Sequence, residues 1–379
     1  MATNSKPYKI RWGILATGWI AGVFVEDLLK DPNTRGVDDV AHEVVAAASS
    51  SSAERARNFL DEFKCPKSAK AYGSYKELVK DPNVDIIYVA TPHSHHYQNT
   101  MLALEGDKHV LCEKAFTTNA AQAKILVDTA KKKDLFLMEA VWTRYFPISR
   151  ELRAFAESGK IGTIHRVMAD LSLCNDVESQ FGTEHRMVNM NLAGGAMLDL
   201  GIYSLTWVFQ FLYHILPPSE RKPPTVASSM TKYSKTGADE STSIILNFPP
   251  LHSHGIATTS LRVAYNPDGK DTAGPAARIQ GTKGEIQVFG PLYRPTRYRI
   301  VPHDDLLKLE DVTRDIPGMG MFWEADECAR CLRDGKKQSQ GLTWEESIVI
   351  MDVMDEVRRQ NKLEYPEKIE STTYPLDGF

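Results

Sequence analysis

The chain has 379 residues, of which 42% are hydrophobic and 25% charged, and its formal net charge is −4. This length indicates two domains rather than one. The slight acidity, without a basic stripe, excludes a nucleic-acid partner, whose phosphates require clustered lysine and arginine. Because the sequence has no run of about 18 apolar residues and its first ten residues are polar, we expect no membrane partner and a cytoplasmic location.

The five cysteines are expected to be free thiols, because their number is odd and nothing in the sequence indicates secretion. Cys328 and Cys331 form a C-x-x-C pattern, but they lie within a predicted helix without a second pair or a nearby histidine. His93, His95 and His96 likewise lack a carboxylate at ligand spacing. We therefore expect no metal site.

Short apolar strands alternate with amphipathic helices over residues 1–147. Strands are predicted at residues 9–15, 43–48, 86–90, 109–112 and 136–139, and helices after Gly18 and at 53–63, 95–104 and 120–131. This alternation is typical of an α/β domain of the Rossmann type, with a parallel, doubly wound sheet whose ligands bind at the carboxyl ends of the strands. Residues 1–147 are therefore predicted to bind a dinucleotide.

The pattern changes after Pro147. Helices are predicted at residues 149–158, 197–212 and 344–359, and strands at 164–173, 241–248, 258–264, 277–280 and 285–289. Residues 148–379 are therefore predicted to form an α+β domain that has a large, mostly antiparallel sheet and holds the substrate. Because no predicted helix covers the outer face of this sheet, we expect a homodimer assembled through it.

The first strand runs into a pattern similar to the dinucleotide motif G-x-G-x-x-G/A, with Ala16, Gly18 and Ala21 at its three marked positions. Gly18 would let the backbone approach a pyrophosphate at the helix N-terminus. A tight strand–helix turn would give the same pattern, but its place in a strand–helix–strand unit favours nucleotide binding. The cofactor is expected to contact Ala16, Thr17, Gly18, Trp19 and Ile20.

The second strand ends in four serines, residues 49–52, and not in the carboxylate that usually binds the ribose 2′-hydroxyl of NAD. Ser49, Ser50, Ser51 and Arg55 could instead bind a 2′-phosphate, which predicts NADP as the cofactor. A turn followed by a helix N-cap would also use these serines, and the two interpretations are compatible.

Two further patterns suggest catalytic groups. Lys114 follows a central strand, at the edge where the nicotinamide half of a dinucleotide is expected. Asp199 and Tyr203 are four residues apart and share one face of a predicted helix, and Gly194 and Gly195 before them permit close approach to a ligand. A core tyrosine and a helix-capping aspartate would be the structural alternative.

These segments resemble the glucose–fructose oxidoreductase / inositol dehydrogenase family over nearly the whole chain. The resemblance is carried by residues 13–21, 91–95, 112–116, 138–144, 194–203, 281–286 and 355–360. Within the family, the chain looks similar to the branch of dimeric dihydrodiol dehydrogenases and fungal NADP-dependent D-xylose dehydrogenases.

The resemblance implies roles for individual residues. Lys114 matches the lysine of the family's Glu-Lys-Pro motif, Tyr203 its catalytic tyrosine, and Asp199 the acid on the same helix. The positions that line the cofactor in the family are matched by Thr91, Pro92, His95, Glu113, Lys114, Trp142 and Arg144. Two departures are Ala115, in place of the usual proline, and Ser50, where relatives often carry an arginine.

The implied reaction is oxidation of an aldose, D-xylose, at C1 to its lactone. Tyr203 is the expected base, because a neighbouring Lys114 cation favours tyrosinate, although the reverse assignment remains open. Asp199 is a suitable acceptor for a second substrate hydroxyl. The alternatives are a trans-1,2-dihydrodiol or inositol dehydrogenase and a non-catalytic NAD(P)-binding regulator, and the presence of both Lys114 and Tyr203 favours an enzyme.

Overall fold

The computed structural model describes residues 6–303 and 308–379, which form two units. The first unit contains Met1–Trp142, Pro317–Ser347 and Ser371–Phe379, and the second contains Thr143–Ile316 and Ile348–Glu370. The sequence-based division after residue 147 missed the two C-terminal segments that belong with the first unit. Those segments contain no strand of the parallel sheet, so the alternation of strands and helices could not assign them to the first unit.

Six parallel strands form the sheet of the first unit in the order β3-β2-β1-β4-β5-β6, which confirms the predicted doubly wound fold. The strands are β1 (Tyr8–Leu15), β2 (Val40–Ala48), β3 (Lys70–Tyr72), β4 (Ile86–Val89), β5 (His109–Glu113) and β6 (Leu137–Ala140). The strand order reverses between β1 and β4, and ligands of such sheets bind at that switch point.

Helices accompany these strands. They are α1 (Trp19–Leu28), α2 (Ala53–Glu62), α3 (Tyr75–Leu78), α4 (His96–Glu105) and α5 (Ala120–Lys132), together with α9 (Phe322–Arg333) from a C-terminal segment. A buried ion pair fastens α9 to this unit, because Asp326 accepts hydrogen bonds from Arg35 at 2.8 Å and lies 2.9 Å from His42 Nε2. The C-terminal tail is held by side chains of α4 and α5, where Gln98 and Gln122 donate to the carbonyls of Thr373 and Ser371.

The second unit contains an eight-stranded sheet in the order β14-β13-β12-β11-β7-β10-β9-β8, in which β7 and β10 pair in parallel and the other pairs are antiparallel. The strands are β7 (Ile164–Ser172), β8 (Thr225–Lys232), β9 (Asp239–Phe248), β10 (Ser253–Ser260), β11 (Ala277–Gly281), β12 (Gly284–Phe289), β13 (Arg297–Pro302) and β14 (Glu310–Thr313). The large, mostly antiparallel sheet was predicted, but β8, β13 and β14 were not. The bounds of the strand predicted at residues 258–264 were wrong, because the strand there is Ser253–Ser260.

The remaining helices are α6 (Pro147–Glu157), α7 (Val177–Gln180), α8 (Ile202–Phe209), α10 (Trp344–Asn361) and α11 (Glu367–Glu370). A π-helical turn precedes α8 at Met197–Gly201 and another follows it at Gln210–His214, so residues 197–214 form one helix. Ser204 fixes this helix on the sheet by donating to Thr258 O at 2.8 Å and accepting from Leu171 N at 2.9 Å. π-Helical turns are frequent at functional sites.

Among the described residues, Met190–His214 is the one helical stretch long and apolar enough to cross a membrane, yet 94% of its 18-residue apolar window, whose mean hydropathy is 1.3, is buried inside the protein. This burial is the property of a core helix.

One face of the eight-stranded sheet packs against α8, and side chains alternate across the sheet accordingly. Val167, Ala169 and Leu171 of β7 are buried, whereas Met168 and Asp170 between them are partly exposed. On β9, Ile245 is 52% exposed and lies between buried Ile244 and Leu246. The face opposite α8 is therefore open in the second unit.

Candidate cofactor and catalytic sites

The turn between β1 and α1 has the geometry of a dinucleotide-binding loop. Ala16 has a φ of 87°, in the left-handed region that favours glycine, and its N–H donates to Ala48 O at 3.2 Å. Gly18 is the N-cap of α1, and no atom lies within 4 Å of the position that a Cβ on Gly18 would take. The backbone is therefore open to a pyrophosphate at the N-terminus of a ten-residue helix, which fits the predicted cofactor.

The serines after β2 form both a turn and a helix cap, as the sequence allowed. Ser49 is buried and its Oγ accepts from Ser51 N at 3.2 Å, while Ser52 Oγ accepts from Arg55 N at 3.1 Å. Ser50, Ser51 and Arg55 are exposed. The Tyr75 side chain, which sequence analysis missed, lies beside Ser50 and Arg55, and burial raises the pKa of its hydroxyl. This cluster supplies hydroxyl and guanidinium donors suited to a 2′-phosphate.

The backbone around Lys114 is held by two buried carboxylates. Glu113 Oε1 accepts from the Tyr88 hydroxyl, and Glu113 Oε2 accepts from Lys114 N at 3.1 Å. Glu139 accepts from Phe116 N at 3.0 Å and from Ser347 Oγ at 2.6 Å. The Lys114–Ala115 peptide bond is cis. Glu113, expected to line the cofactor, thus has both carboxylate oxygens engaged by protein donors.

His96 joins the loops that follow β4 and β5, and sequence analysis did not identify it. Its buried ring places Nδ1 2.8 Å from Ala115 O and Nε2 2.9 Å from Thr91 O. Burial lowers the pKa of His96 to about 4, so the ring is neutral near pH 7. His95, which is predicted to line the cofactor, has Nδ1 2.8 Å from Ser94 Oγ and its ring 4.8 Å from that of Phe379. Because His93, His95 and His96 are close together in sequence, the sequence alone does not show which of them is buried.

In the second unit, Asp199 and Tyr203 lie one turn apart on the helix of residues 197–214, and both are largely buried. Asp199 is paired with Arg186, at 3.1 Å between Oδ1 and one guanidinium nitrogen and 3.5 Å between Oδ2 and the other. The ring of Tyr293 lies 5.9 Å from that of Tyr203. Arg186 was missed because it stands in a loop without periodicity.

The other predicted cofactor residues divide between the units. Thr91 and Trp142 are buried in the first unit, where Pro92, Thr17 and Ile20 are more accessible and Trp19 is 75% exposed. Arg144 is fully buried in the second unit, and its carbonyl accepts from both terminal nitrogens of Arg153 at 3.0 Å. Lys114 belongs to the first unit, and Asp199 and Tyr203 to the second. Among the described residues, no group of three or more His, Cys, Asp or Glu side chains could hold a metal.

Replacing His96 by glutamine tests the connection between the two loops. An unfolded histidine has a pKa of 6.5, and the folded pKa of His96 is about 4, so its contribution to stability is present above pH 6.5 and is lost as pH falls toward 4. We expect His96→Gln to reduce the free energy of unfolding at pH 7 by about 1–3 kcal/mol, because the flexible glutamine amide does not reproduce the packing and the hydrogen bond of the buried ring.

The difference between the two proteins should then shrink on acidification, as measured by urea unfolding from pH 7.5 to 4.5. His165→Gln, which removes an exposed histidine, is the control and should leave stability unchanged. A difference between wild type and His96→Gln that stays constant with pH would contradict the assigned neutral, buried ring.

Family models match both units. Residues 10–141 match the oxidoreductase family with an NAD-binding Rossmann fold, and residues 149–287 match the GFO/IDH/MocA C-terminal domain. The D-xylose 1-dehydrogenase (NADP(+)) of Hypocrea jecorina is 58% identical over 98% of this chain and 97% of its own. The human trans-1,2-dihydrobenzene-1,2-diol dehydrogenase is 34% identical over 94% of this chain and 98% of its own.

Solved structures share the fold at lower identity. An aldose-aldose oxidoreductase from Caulobacter crescentus aligns with a TM-score of 0.74 at 19% identity, over 93% of this chain and 98% of its own. A 3-ketoreductase from Actinomadura kijaniata with bound NADP aligns with a TM-score of 0.72 at 22% identity, over 93% of this chain and 97% of its own. With both domain models matched and full-length relatives well above 30% identity, the chain belongs to the GFO/IDH/MocA oxidoreductase family.

Proposed function

We propose that this protein is an NADP-dependent D-xylose 1-dehydrogenase, which oxidises the sugar at C1 to D-xylonolactone. The observation that carries the proposal is the 58% identity to the Hypocrea jecorina enzyme over 98% of the chain. The residues agree with it, because Lys114 follows β5 of the parallel sheet and Tyr203 and Asp199 share the buried helix of the second unit. A regulator without catalysis would need neither group.

The residues of the first unit would hold NADP by its phosphates. The N-terminus of α1 and the open backbone at Gly18 suit the pyrophosphate, and Ser50, Arg55 and Tyr75 suit the 2′-phosphate. Bound NADP⁺ would supply the acceptor for the hydride that leaves C1 of the sugar.

The remaining chemistry is proton transfer and orientation by the chain's own groups. In this proposal Tyr203 takes the proton of the C1 hydroxyl and Lys114 is its electrostatic partner, the roles that the family resemblance implies. Asp199 accepts a hydrogen bond from a second sugar hydroxyl, while Arg186 fixes the orientation of its carboxylate at 3.1 Å. Water then opens the lactone after release.

A trans-1,2-dihydrodiol dehydrogenase is the second candidate, because the human enzyme of that name is 34% identical over 94% of this chain. Its substrate also carries a hydroxyl whose proton Tyr203 could take. The two candidates differ in the shape of the group that the second unit must accommodate.

A substrate comparison tests the proposed specificity. We expect D-xylose to have the highest kcat/KM with NADP⁺, and D-glucose to follow within about 200-fold, because excluding one extra carbon from a pocket gains only about 1–3 kcal/mol. Inositol and trans-1,2-dihydrobenzene-1,2-diol should be poorer substrates, as followed by absorbance of the reduced cofactor. A dihydrodiol with the highest kcat/KM would overturn the xylose assignment.

Removing one hydroxyl tests the role of Tyr203. We expect Tyr203→Phe to lose at least about a hundredfold in kcat, the scale of general-base catalysis, while the Kd for NADP⁺ stays unchanged. Tyr213→Phe is the matched control, since Tyr213 is a buried tyrosine on the same helix of residues 197–214. Near-normal kcat in Tyr203→Phe would remove Tyr203 from the mechanism.

The cofactor preference can be tested at Ser50. A carboxylate at this exposed position would bind the ribose 2′-hydroxyl of NAD and repel a 2′-phosphate. We expect Ser50→Asp to lower the ratio of kcat/KM for NADP⁺ to that for NAD⁺ by at least about tenfold, because close like charges cost more than about 1.4 kcal/mol. The neutral variant Ser50→Asn should change the ratio much less, and equal effects of both variants would contradict a charge-based preference.

We further propose a homodimer that buries the open face of the eight-stranded sheet. The alternation of side chains leaves Ile245, Met168 and Ile256 accessible on the face opposite α8, and the three pair in register across β9, β10 and β7. An accessible apolar patch of this kind often marks a contact with another protein surface.

Light scattering at micromolar concentration should give about twice the chain mass of 42.4 kDa. Ile245→Glu should shift the protein toward the monomer, because a charge would be buried at the interface. The control Tyr8→Glu introduces the same charge at a partly exposed aromatic residue of the first unit and should leave the mass unchanged. A wild-type mass near 42.4 kDa would refute the dimer.

A further inference from the structure

A buried carboxylate lies against the start of the helix that carries Asp199 and Tyr203. Asp239, the first residue of β9, is fully buried, and its Oδ2 accepts from Met197 N at 2.7 Å and from Thr242 Oγ1 at 3.3 Å. Met197 begins the π-helical turn that contains Asp199. Asp239 therefore caps this helix from a neighbouring strand, in place of a local N-cap side chain.

The two glycines before the helix leave no room for a side chain. Gly195 has a φ of 137°, and a Cβ there would lie 1.9 Å from Asp239 Oδ1. A Cβ on Gly194 would lie 2.6 Å from Arg186 O, and Gly194 N donates to Asn189 O at 2.9 Å. The segment is thus enclosed between Asp239 on one side and the loop containing Arg186 on the other.

This enclosure links three groups of the proposed substrate site. Arg186 belongs to the loop that contacts Gly194, and its guanidinium pairs with Asp199. Asp199 and Tyr203 follow on the helix whose first N–H groups Asp239 anchors. A shift of Gly194 and Gly195 would therefore move the helix start relative to the Arg186 loop.

Capping alone does not require a full carboxylate at residue 239. Asp239 Oδ1 has no hydrogen-bond partner among the described residues, and burial raises the pKa of Asp239 to about 6. The Tyr365 hydroxyl, whose pKa the charge of Asp239 helps to raise, donates to Gly194 O at 3.4 Å. The ionised form near pH 7 places a negative charge at the positive end of the helix dipole, where the hydrogen bonds from Met197 N and Thr242 Oγ1 also favour that charge.

We propose that Asp239 is a positioning residue for the dehydrogenase reaction, which holds the Gly194–Gly195 segment and the helix start so that Asp199 and Tyr203 face the substrate. This inference rests on the proposed function only through the roles of Asp199 and Tyr203. Asp239 itself contacts neither substrate nor cofactor in this assignment.

Steady-state kinetics of Asp239 variants test the proposal. Asp239→Ala should lower kcat with D-xylose at least about tenfold and leave the KM for NADP⁺ within about twofold, because the cofactor residues of the first unit are untouched. Asp239→Asn retains an oxygen that can accept from Met197 N, so its kcat should stay within about threefold of wild type. This split between kcat and cofactor KM, with rescue by the asparagine, would not follow from a general loss of stability.

A double-variant cycle with Gly195 gives a second, independent readout. Gly195→Ala should lower kcat, because a φ of 137° strains a residue with a Cβ and because that Cβ would clash with Asp239 Oδ1, and adding Asp239→Ser should restore at least about threefold by removing the clash. The Gly195→Ala and Asp239→Ser variants still test the proposal if Asp239→Ala does not fold. Independent effects, in which the two losses multiply, would overturn the proposal, as would wild-type kcat in Asp239→Ala.

The outcomes also separate this inference from the proposed function. If Tyr203→Phe keeps its turnover, the proposed function fails whatever Asp239 does. If Tyr203→Phe loses turnover while Asp239→Ala keeps it, the positioning role fails and the proposed function stands.

Discussion

The loop that carries Lys114 is buried on both sides of the lysine, and each peptide group in it needs a hydrogen-bond partner within the protein. A buried polar group left without one costs about 1–3 kcal/mol. Glu113 and Glu139 meet this requirement for Lys114 N and Phe116 N. The one N–H of the neutral His96 ring can donate to the carbonyl of Ala115 or to that of Thr91, and the ring packs between the loops after β4 and β5. The hydrogen bonds that these buried peptide groups require therefore determine the position of the Lys114 backbone.

The second unit meets a similar constraint in another way. The helix of residues 197–214 has to begin inside the protein, where its first N–H groups cannot reach water. Asp239 supplies the acceptor from β9, and Gly195 permits the close approach that this requires. Ser204 then fixes the next turn on β7 and β10. The two residues assigned to the substrate, Asp199 and Tyr203, lie on this helix between the cap and the sheet contact.

Sequence patterns predicted the elements whose signals are local. Buried apolar runs such as Ile86–Val89 located the parallel strands, and the turn before α1 located the cofactor loop. β8 was missed because its residues, Thr225–Lys232, are polar and largely exposed, and β10 was misplaced because the strand-like residues 261–264 lie beyond its end.

The site residues that were missed act through contacts distant in sequence. Arg186 meets Asp199 from an irregular loop, Asp239 meets Met197 from another strand, and only burial distinguishes His96 from His95. A single sequence records none of these contacts, because none of them imposes a periodicity or a spacing.

The central claim is that hydride leaves C1 of an aldose for the nicotinamide of NADP. The most direct measurement uses D-xylose carrying deuterium at C1, with mass spectrometry of the reduced cofactor after turnover. The account predicts one deuterium in each NADPH formed from this substrate and none from D-xylose labelled at C2. NADPH formed without deuterium from the C1-labelled sugar would contradict it.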